Sequence, residues 1–237
     1  MPSATFHVDA ALFDMDGTLV DSAAGVTGAW EVFKQKYPHI NVQDILSCSH
    51  GVRTVENLKH FCGIEDPDEL EREAVRFETA IVESSKLNGR QGIIKLPGVT
   101  EGIQELEPGR HLPNPCWAIC TSATRAYATA ALTSAQIPIP DVFVAAEDVS
   151  KGKPEPDPYL LGAKQCGVKP ENCVVFEDAP NGIRSGKAAG CKTIGFLTTH
   201  SRAQMEAVEP DFLVRDMSSI TFRRTESGID ITVAIDE

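Results

Sequence analysis

The segment Ala10-Ala11-Leu12-Phe13-Asp14-Met15-Asp16-Gly17-Thr18 constrains this chain more than any other. Four apolar residues stop abruptly at two carboxylates and a glycine. A short apolar run closed in this way reads as a buried strand ending in a loop. Asp14 and Asp16 stand two residues apart, so in extended chain their side chains point the same way. Gly17 lets the chain turn directly behind them. Such a pair can bind a divalent cation, or divide the roles of nucleophile and proton donor. It can also be a plain polar loop, and the rest of the chain has to decide.

From about Ser22 to Leu87 the periodicity is helical. Ala29, Trp30, Val32, Phe33 and Tyr37 recur at three and four residues, as do Val55, Leu58, Phe61 and Cys62. Asp66-Pro67-Asp68-Glu69 reads as an N-terminal cap with acidic residues in the first turn. It opens a long helix whose apolar stripe includes Leu70, Ala74, Phe77 and Ile81. After Leu96-Pro97-Gly98 short apolar strands alternate with helices. The strands are predicted at Trp117–Cys120, Val142–Ala145, Cys173–Phe176, Lys192–Phe196 and Phe212–Val214. The helices fall at Val99–Leu106, Arg125–Ala135, Pro158–Cys166, Asn181–Ala189 and Arg202–Val208. This alternation predicts a parallel sheet covered on both faces. In the tail Ile229, Ile231, Val233 and Ile235 alternate with Asp230, Thr232 and Ala234, and Ser227-Gly228 is a turn signal after Ile220–Phe222. A terminal hairpin against the sheet edge is expected. The chain is therefore α/β, with a core of residues 1–21 and 98–237 and an all-helical insertion of residues 22–97 after the first strand. An insertion there lies over the C-terminal strand ends, where open α/β sheets place their sites.

Three further segments carry chemistry. Glu177-Asp178 is a second acidic pair at a second strand end, followed by Ala179-Pro180-Asn181-Gly182. Alone it could cap a helix. Together the two acidic strand ends can converge on one hard cation with oxygen ligands, as Mg²⁺ prefers. Their mutual repulsion needs such a cation. Lys153, in Gly152-Lys153-Pro154-Glu155-Pro156, can pair with an anion and a neighbouring carboxylate, or be a solvated surface lysine. Thr121-Ser122 ends another strand, where a hydroxyl and a backbone N–H suit a phosphate oxygen; the same pair suits a helix cap.

Composition narrows the partners. Asp plus Glu number 34 against 22 Lys plus Arg, a net charge of −12. Nucleic acid and anionic membranes need a dense basic face and are disfavoured. A small anionic metabolite needs only a local positive cluster. Hydrophobic residues at 42% and charged residues at 24% fit a globular protein that buries its own core. Seven scattered cysteines without a CxxC suggest a reducing compartment and no disulfide framework. No apolar run approaches the roughly 18 residues of a membrane span. The opening MPSATFHVDA is no secretory signal. A cytoplasmic location is expected, with a monomer as the default. His7, His39, His60, His111 and His200 show no metal-ligand spacing.

The ordered set DMDGT, a strand ending in Thr-Ser, GKPEP and VVFEDAPNGI resembles the motif series of the haloacid dehalogenase-like hydrolase superfamily. The resemblance runs over nearly the whole chain. Segments 49–54, 117–122, 177–183 and 228–231 are also similar to those of fungal 2-deoxyglucose-6-phosphate and glycerol-3-phosphate phosphatases. It implies a Rossmann-like core with an all-helical cap, and Mg²⁺ as cofactor. It implies Asp14 as the nucleophile that forms an aspartyl-phosphate, and Asp16 as the acid and then base. Thr121, with Ser122 close by, would hold a phosphate oxygen. Lys153 would neutralise the phosphate and keep Asp14 ionised. Asp178, assisted by Glu177, would bind the metal together with Asp14 and the Asp16 carbonyl. The cap residues His50 and Arg53 are the candidates to reach the substrate when the cap closes.

An alkoxide leaving group needs the acid that Asp16 supplies and a halide does not, so phosphoryl transfer is favoured over dehalogenation. Sugar-phosphate mutases of the superfamily carry a cap histidine shortly after the first motif. Val26 stands at that place here, which weakens the mutase alternative. A non-catalytic binding protein on the same scaffold would have no use for Asp16. The expected activity is Mg²⁺-dependent hydrolysis of small sugar or polyol phosphates.

Overall fold

A computed structural model describes residues 3–110 and 114–234. His111 and the last strand residue expected of the tail, Ile235, lie outside the described residues. The strands are β1 (Ser3–Val8), β2 (Ala10–Phe13), β3 (Val20–Asp21), β4 (Ile94–Lys95), β5 (Trp117–Cys120), β6 (Phe143–Val144), β7 (Cys173–Glu177), β8 (Lys192–Phe196), β9 (Phe212–Val214), β10 (Ile220–Arg224) and β11 (Ile229–Ala234). The helices are α1 (Ala23–Lys36), α2 (Val42–Leu46), α3 (Thr54–Cys62), α4 (Pro67–Ser84), α5 (Val99–Leu106), α6 (Arg125–Ser134), α7 (Asp157–Gln165), α8 (Pro180–Ala189) and α9 (Arg202–Glu206).

The parallel sheet runs β6-β5-β2-β7-β8-β9, with β2 between β5 and β7. Every residue of β2, β5 and β7 is buried, as continuous apolar runs require of strands covered on two faces. On one face Phe13 stacks on Phe176 with ring centroids 4.7 Å apart. On the other, Leu12, Cys120 and Val175 pack with Tyr159 and Ala163 of α7. The expected α/β core is therefore present, with element bounds within a residue or two of the periodicity. Six of the seven free cysteines are buried, and Cys48 is exposed.

A strand that the sequence reading does not find, β1, precedes β2 but lies outside the parallel sheet, so the helical segment still follows the first strand of the core. One expectation needs correction: the terminal hairpin does not extend the edge of the parallel sheet. β10 and β11 join β1 in a separate antiparallel sheet of order β1-β11-β10, in register from Ser3 opposite Ala234 to Val8 opposite Ile229. Its apolar positions Ile229, Ile231 and Val233 are buried as their alternation demands. Phe222 of β10 meets Phe13 and Phe176, so this sheet covers a face of the core instead of lengthening it.

The helical segment leaves the core through β3 and returns through β4, which pair antiparallel. Asp66 caps α4 as expected, accepting the Glu69 N–H at 2.8 Å. Trp30 and Phe33 of α1 pack on Phe77 of α4, with centroids 4.5 and 5.0 Å away. They form the core of the helical segment, as their spacing predicted. Among the described residues no helix is long and apolar enough to cross a membrane.

Candidate active site

Parallel order brings the C-terminal ends of β5, β2 and β7 side by side. Asp14 follows β2, Thr121 follows β5, and Glu177 and Asp178 close β7. Asp14, Glu177 and Asp178 are buried, and their carboxylate oxygens lie within 4.8 Å of one another. The two acidic strand ends therefore converge as the sequence predicts. Lys153 arrives from the loop between β6 and α7 and has no exposed surface. Its ammonium donates to Asp14 Oδ1 at 2.5 Å and to Glu177 Oε1 at 2.8 Å. Burial favours the neutral lysine, but the two carboxylates outweigh it and hold its pKa above the ordinary value. One ammonium faces three carboxyl groups, so the cluster is net negative when all three are ionised. An all-oxygen, buried, anionic cluster fits a hard divalent cation such as Mg²⁺.

The members of the trio are held differently. Glu177 Oε1 also accepts from the Tyr159 hydroxyl at 2.9 Å, and Oε2 accepts the N–H groups of Asp178 and Ala179 at 3.0 Å each. With both oxygens engaged, Glu177 serves chiefly to fix Lys153. Asp178 accepts from the hydroxyls of Thr18, at 3.1 Å, and Thr199. Burial pushes its carboxyl up to about 7, and the charge of Glu177 adds to the shift. Burial likewise raises Asp14 well above the usual carboxylate range, against the pull of Lys153. Gly17 is required here twice over. Its φ is +83°, and a Cβ would stand 2.3 Å from Asp178 Oδ2.

Asp16 is not part of the trio. Its Oδ1 accepts from the Ser22 hydroxyl at 2.6 Å and the Tyr127 hydroxyl at 2.8 Å. Burial raises its pKa against those two hydrogen bonds. A raised carboxyl suits proton donation. The environments of the two aspartates thus differ as their expected roles differ.

Asp14, Asp16 and Thr121 open onto a cavity of about 90 Å³ between the C-terminal strand ends and the helical segment. Ser122 lines it too, but its hydroxyl is committed to the Gly51 carbonyl at 2.8 Å. His50 lines it with an imidazole that burial, and then His200 beside it, hold below the usual pKa. Its Nδ1 is buried without a partner. Arg53 is not brought into the cavity. Its guanidinium donates to the carbonyls of Val149, at 2.9 Å, and Ser150, at 3.3 Å. It ties the helical segment to a core loop, and a Cβ on Gly152 would meet its Nε at 2.8 Å.

Sequence reasoning missed Ser22, Tyr127 and Glu78. Glu78 is buried in α4, lines the cavity and accepts from the hydroxyls of Thr54, at 3.0 Å, and Thr124, and from the Thr124 N–H at 3.2 Å. Burial raises its pKa and these donors pull it back. A signal existed, because Glu78 stands four residues after Ala74 and three before Ile81, on the apolar face of its helix. Tyr127 carried no comparable signal.

The haloacid dehalogenase-like hydrolase family model matches residues 8–190 of the chain. Hexitol phosphatase A of Escherichia coli is 36% identical over 217 residues, covering 92% of this chain and 95% of that protein. Glycerol-1-phosphate phosphohydrolase 1 of Saccharomyces cerevisiae is 34% identical over 224 residues, covering 91% and 85% respectively. Among solved structures, a hydrolase from Pseudomonas syringae superposes with a TM-score of 0.73 at 26% identity, covering 88% of this chain and 93% of that one.

Proposed function

The chain belongs to the haloacid dehalogenase-like hydrolase family, and from that premise we propose that it is a Mg²⁺-dependent phosphatase of small sugar or polyol phosphates, working through an aspartyl-phosphate. Residues 1–21 and 98–237 form its catalytic core, and residues 22–97 form the cap. The observation that carries this reading is the pairing of unlike aspartates. Asp14 sits against Lys153 and Asp178, whereas Asp16 is held apart by Ser22 and Tyr127.

In the first half-reaction a carboxylate oxygen of Asp14 attacks phosphorus, and the bond from phosphorus to the leaving oxygen breaks. Asp16 gives its proton to that oxygen as it departs. In the second, Asp16 takes a proton from water, whose oxygen attacks phosphorus. Inorganic phosphate leaves and Asp14 is restored. Thr121 holds a phosphate oxygen, Lys153 offsets phosphate charge, and Glu177 keeps Lys153 in place. Asp14, Asp178 and the carbonyl of Asp16 would hold Mg²⁺, which supplies charge neutralisation between an anionic nucleophile and an anionic phosphoryl group.

Val26 lines the cavity at the place where a mutase of the superfamily carries its cap histidine, which favours water as the acceptor. The relatives named as hexitol and glycerol phosphate phosphatases support the substrate class. The test is a panel of hexose, hexitol, glycerol and bisphosphate esters ranked by kcat/KM with Mg²⁺ present. Phosphate release led by the neutral sugar or polyol esters is expected. Isomerised sugar phosphate without free phosphate would overturn the reading.

A further inference from the structure

We propose that Glu78 restricts this site to substrates whose phosphate is their only anionic group. The inference rests on the phosphatase reading and adds to it a residue that sets specificity. The charges around the cavity are unbalanced. Asp14, Asp16 and Glu78 line it, and no lysine or arginine does among the described residues. Lys153 is occupied by Asp14 and Glu177. Arg53, the one cap cation expected to reach the substrate, is bound to the carbonyls of Val149 and Ser150. A substrate carrying a carboxylate or a second phosphate would therefore meet no countercharge beyond the catalytic end, and it would meet a fixed carboxylate in the cap.

The hydrogen-bond donors to the Glu78 carboxylate favour its ionised form against the burial that raises its pKa. Three donors converge on it, from Thr54 in the cap and from the N–H and hydroxyl of Thr124 in the core. Thr124 is the N-cap of α6, where the helix end favours negative charge. Around it the cavity offers neutral polar groups. His50 contributes an imidazole held below its usual pKa, with a buried nitrogen lacking a partner, and Ser49 and Asn57 also line the wall. Such a surface accepts hydroxyls and repels anions. A like charge brought close to this buried carboxylate costs enough to change affinity by about an order of magnitude.

The experiment compares two esters of similar size, 2-hydroxyethyl phosphate and phosphoglycolate, with the full chain and Mg²⁺. Wild type should favour the neutral ester in kcat/KM by about ten-fold or more. Glu78→Gln keeps the hydrogen-bond geometry, since its carbonyl can accept from Thr54 and the Thr124 N–H while its amide donates to the Thr124 hydroxyl. It should narrow the ratio by about ten-fold, through a lower KM for phosphoglycolate. A folded Glu78→Gln protein with the wild-type ratio would overturn the proposal. Should the variant not fold, wild type alone decides, because equal kcat/KM on the two esters also overturns it. If wild type releases phosphate from neither ester nor from p-nitrophenyl phosphate, the phosphatase reading fails, and the role of Glu78 falls with it.

Discussion

Tyr127 shows how a single hydroxyl tunes the chemistry. It donates to Asp16 Oδ1 at 2.8 Å, and a hydrogen bond to the ionised carboxylate lowers its pKa against the effect of burial. Tyr127→Phe removes that donor, so the Asp16 carboxyl moves further up. We expect the high-pH limb of the kcat/KM profile, which reports the general acid, to shift to higher pH. kcat should fall by about ten-fold from the lost positioning. A limb that stays in place with unchanged kcat would show that Asp16 is not the acid. At this scale the sequence was informative where function sits at strand ends. Asp14, Asp16, Thr121 and Asp178, at or just past strand ends, and Lys153, in a proline-flanked loop, all stand out as candidates in the sequence, and the fold gathers them at one end of the sheet. Tyr127 and Glu78 reach the site from helix faces whose partners are distant in the chain, as the 111-residue separation of Tyr127 from Asp16 illustrates.

Between elements, the approach of α8 to β7 sets the geometry of Lys153. Gly182, in the first turn of α8, leaves the space that the Glu177 carboxylate fills. A Cβ there would lie 1.7 Å from Glu177 Oε1. Gly182→Ala must displace the carboxylate that anchors Lys153, or push the helix away from the strand. Breaking a buried ion pair costs about 3–5 kcal/mol. The variant should lose stability on that order in a denaturant titration, and lose phosphatase activity as well. Wild-type stability would mean that Glu177 does not depend on this contact. The same scale explains the misplaced hairpin. Alternation at Ile229, Ile231 and Val233 revealed a strand with one buried face, but alternation does not say which strand it joins. The pairing with Ser3–Val8 spans almost the entire chain, and no local signal encodes it. The short ribbon of β3 and β4 was equally hidden, since two residues carry no period.

For the molecule as a whole, fold and site share the strand order. Placing β2 beside β7 concentrates carboxylates at the C-terminal end of the sheet, and the folded chain bears the cost of their repulsion. Asp178 makes this measurable. Its carboxyl is raised to about 7 from an ordinary 3.8, so ionising it penalises the folded state. That penalty is fully present above about pH 7 and fades as pH falls below it, because the folded chain then binds the proton more tightly than the unfolded one. Mg²⁺ bound there would relieve the penalty where Asp178 is ionised and would have to displace a proton where it is not. The rise in Tm on adding Mg²⁺ to chelator-treated protein should therefore be larger at pH 8 than at pH 6. An equal rise at both values would place the ion elsewhere.

Attack of Asp14 on phosphorus is read out by inorganic phosphate release from p-nitrophenyl phosphate, compared between wild type and Asp14→Asn. Wild type should turn over with Mg²⁺ and stop in EDTA, and an Asp14→Asn protein that keeps its fold by circular dichroism should release none above background. A folded Asp14→Asn protein releasing phosphate at the wild-type rate would contradict attack by Asp14.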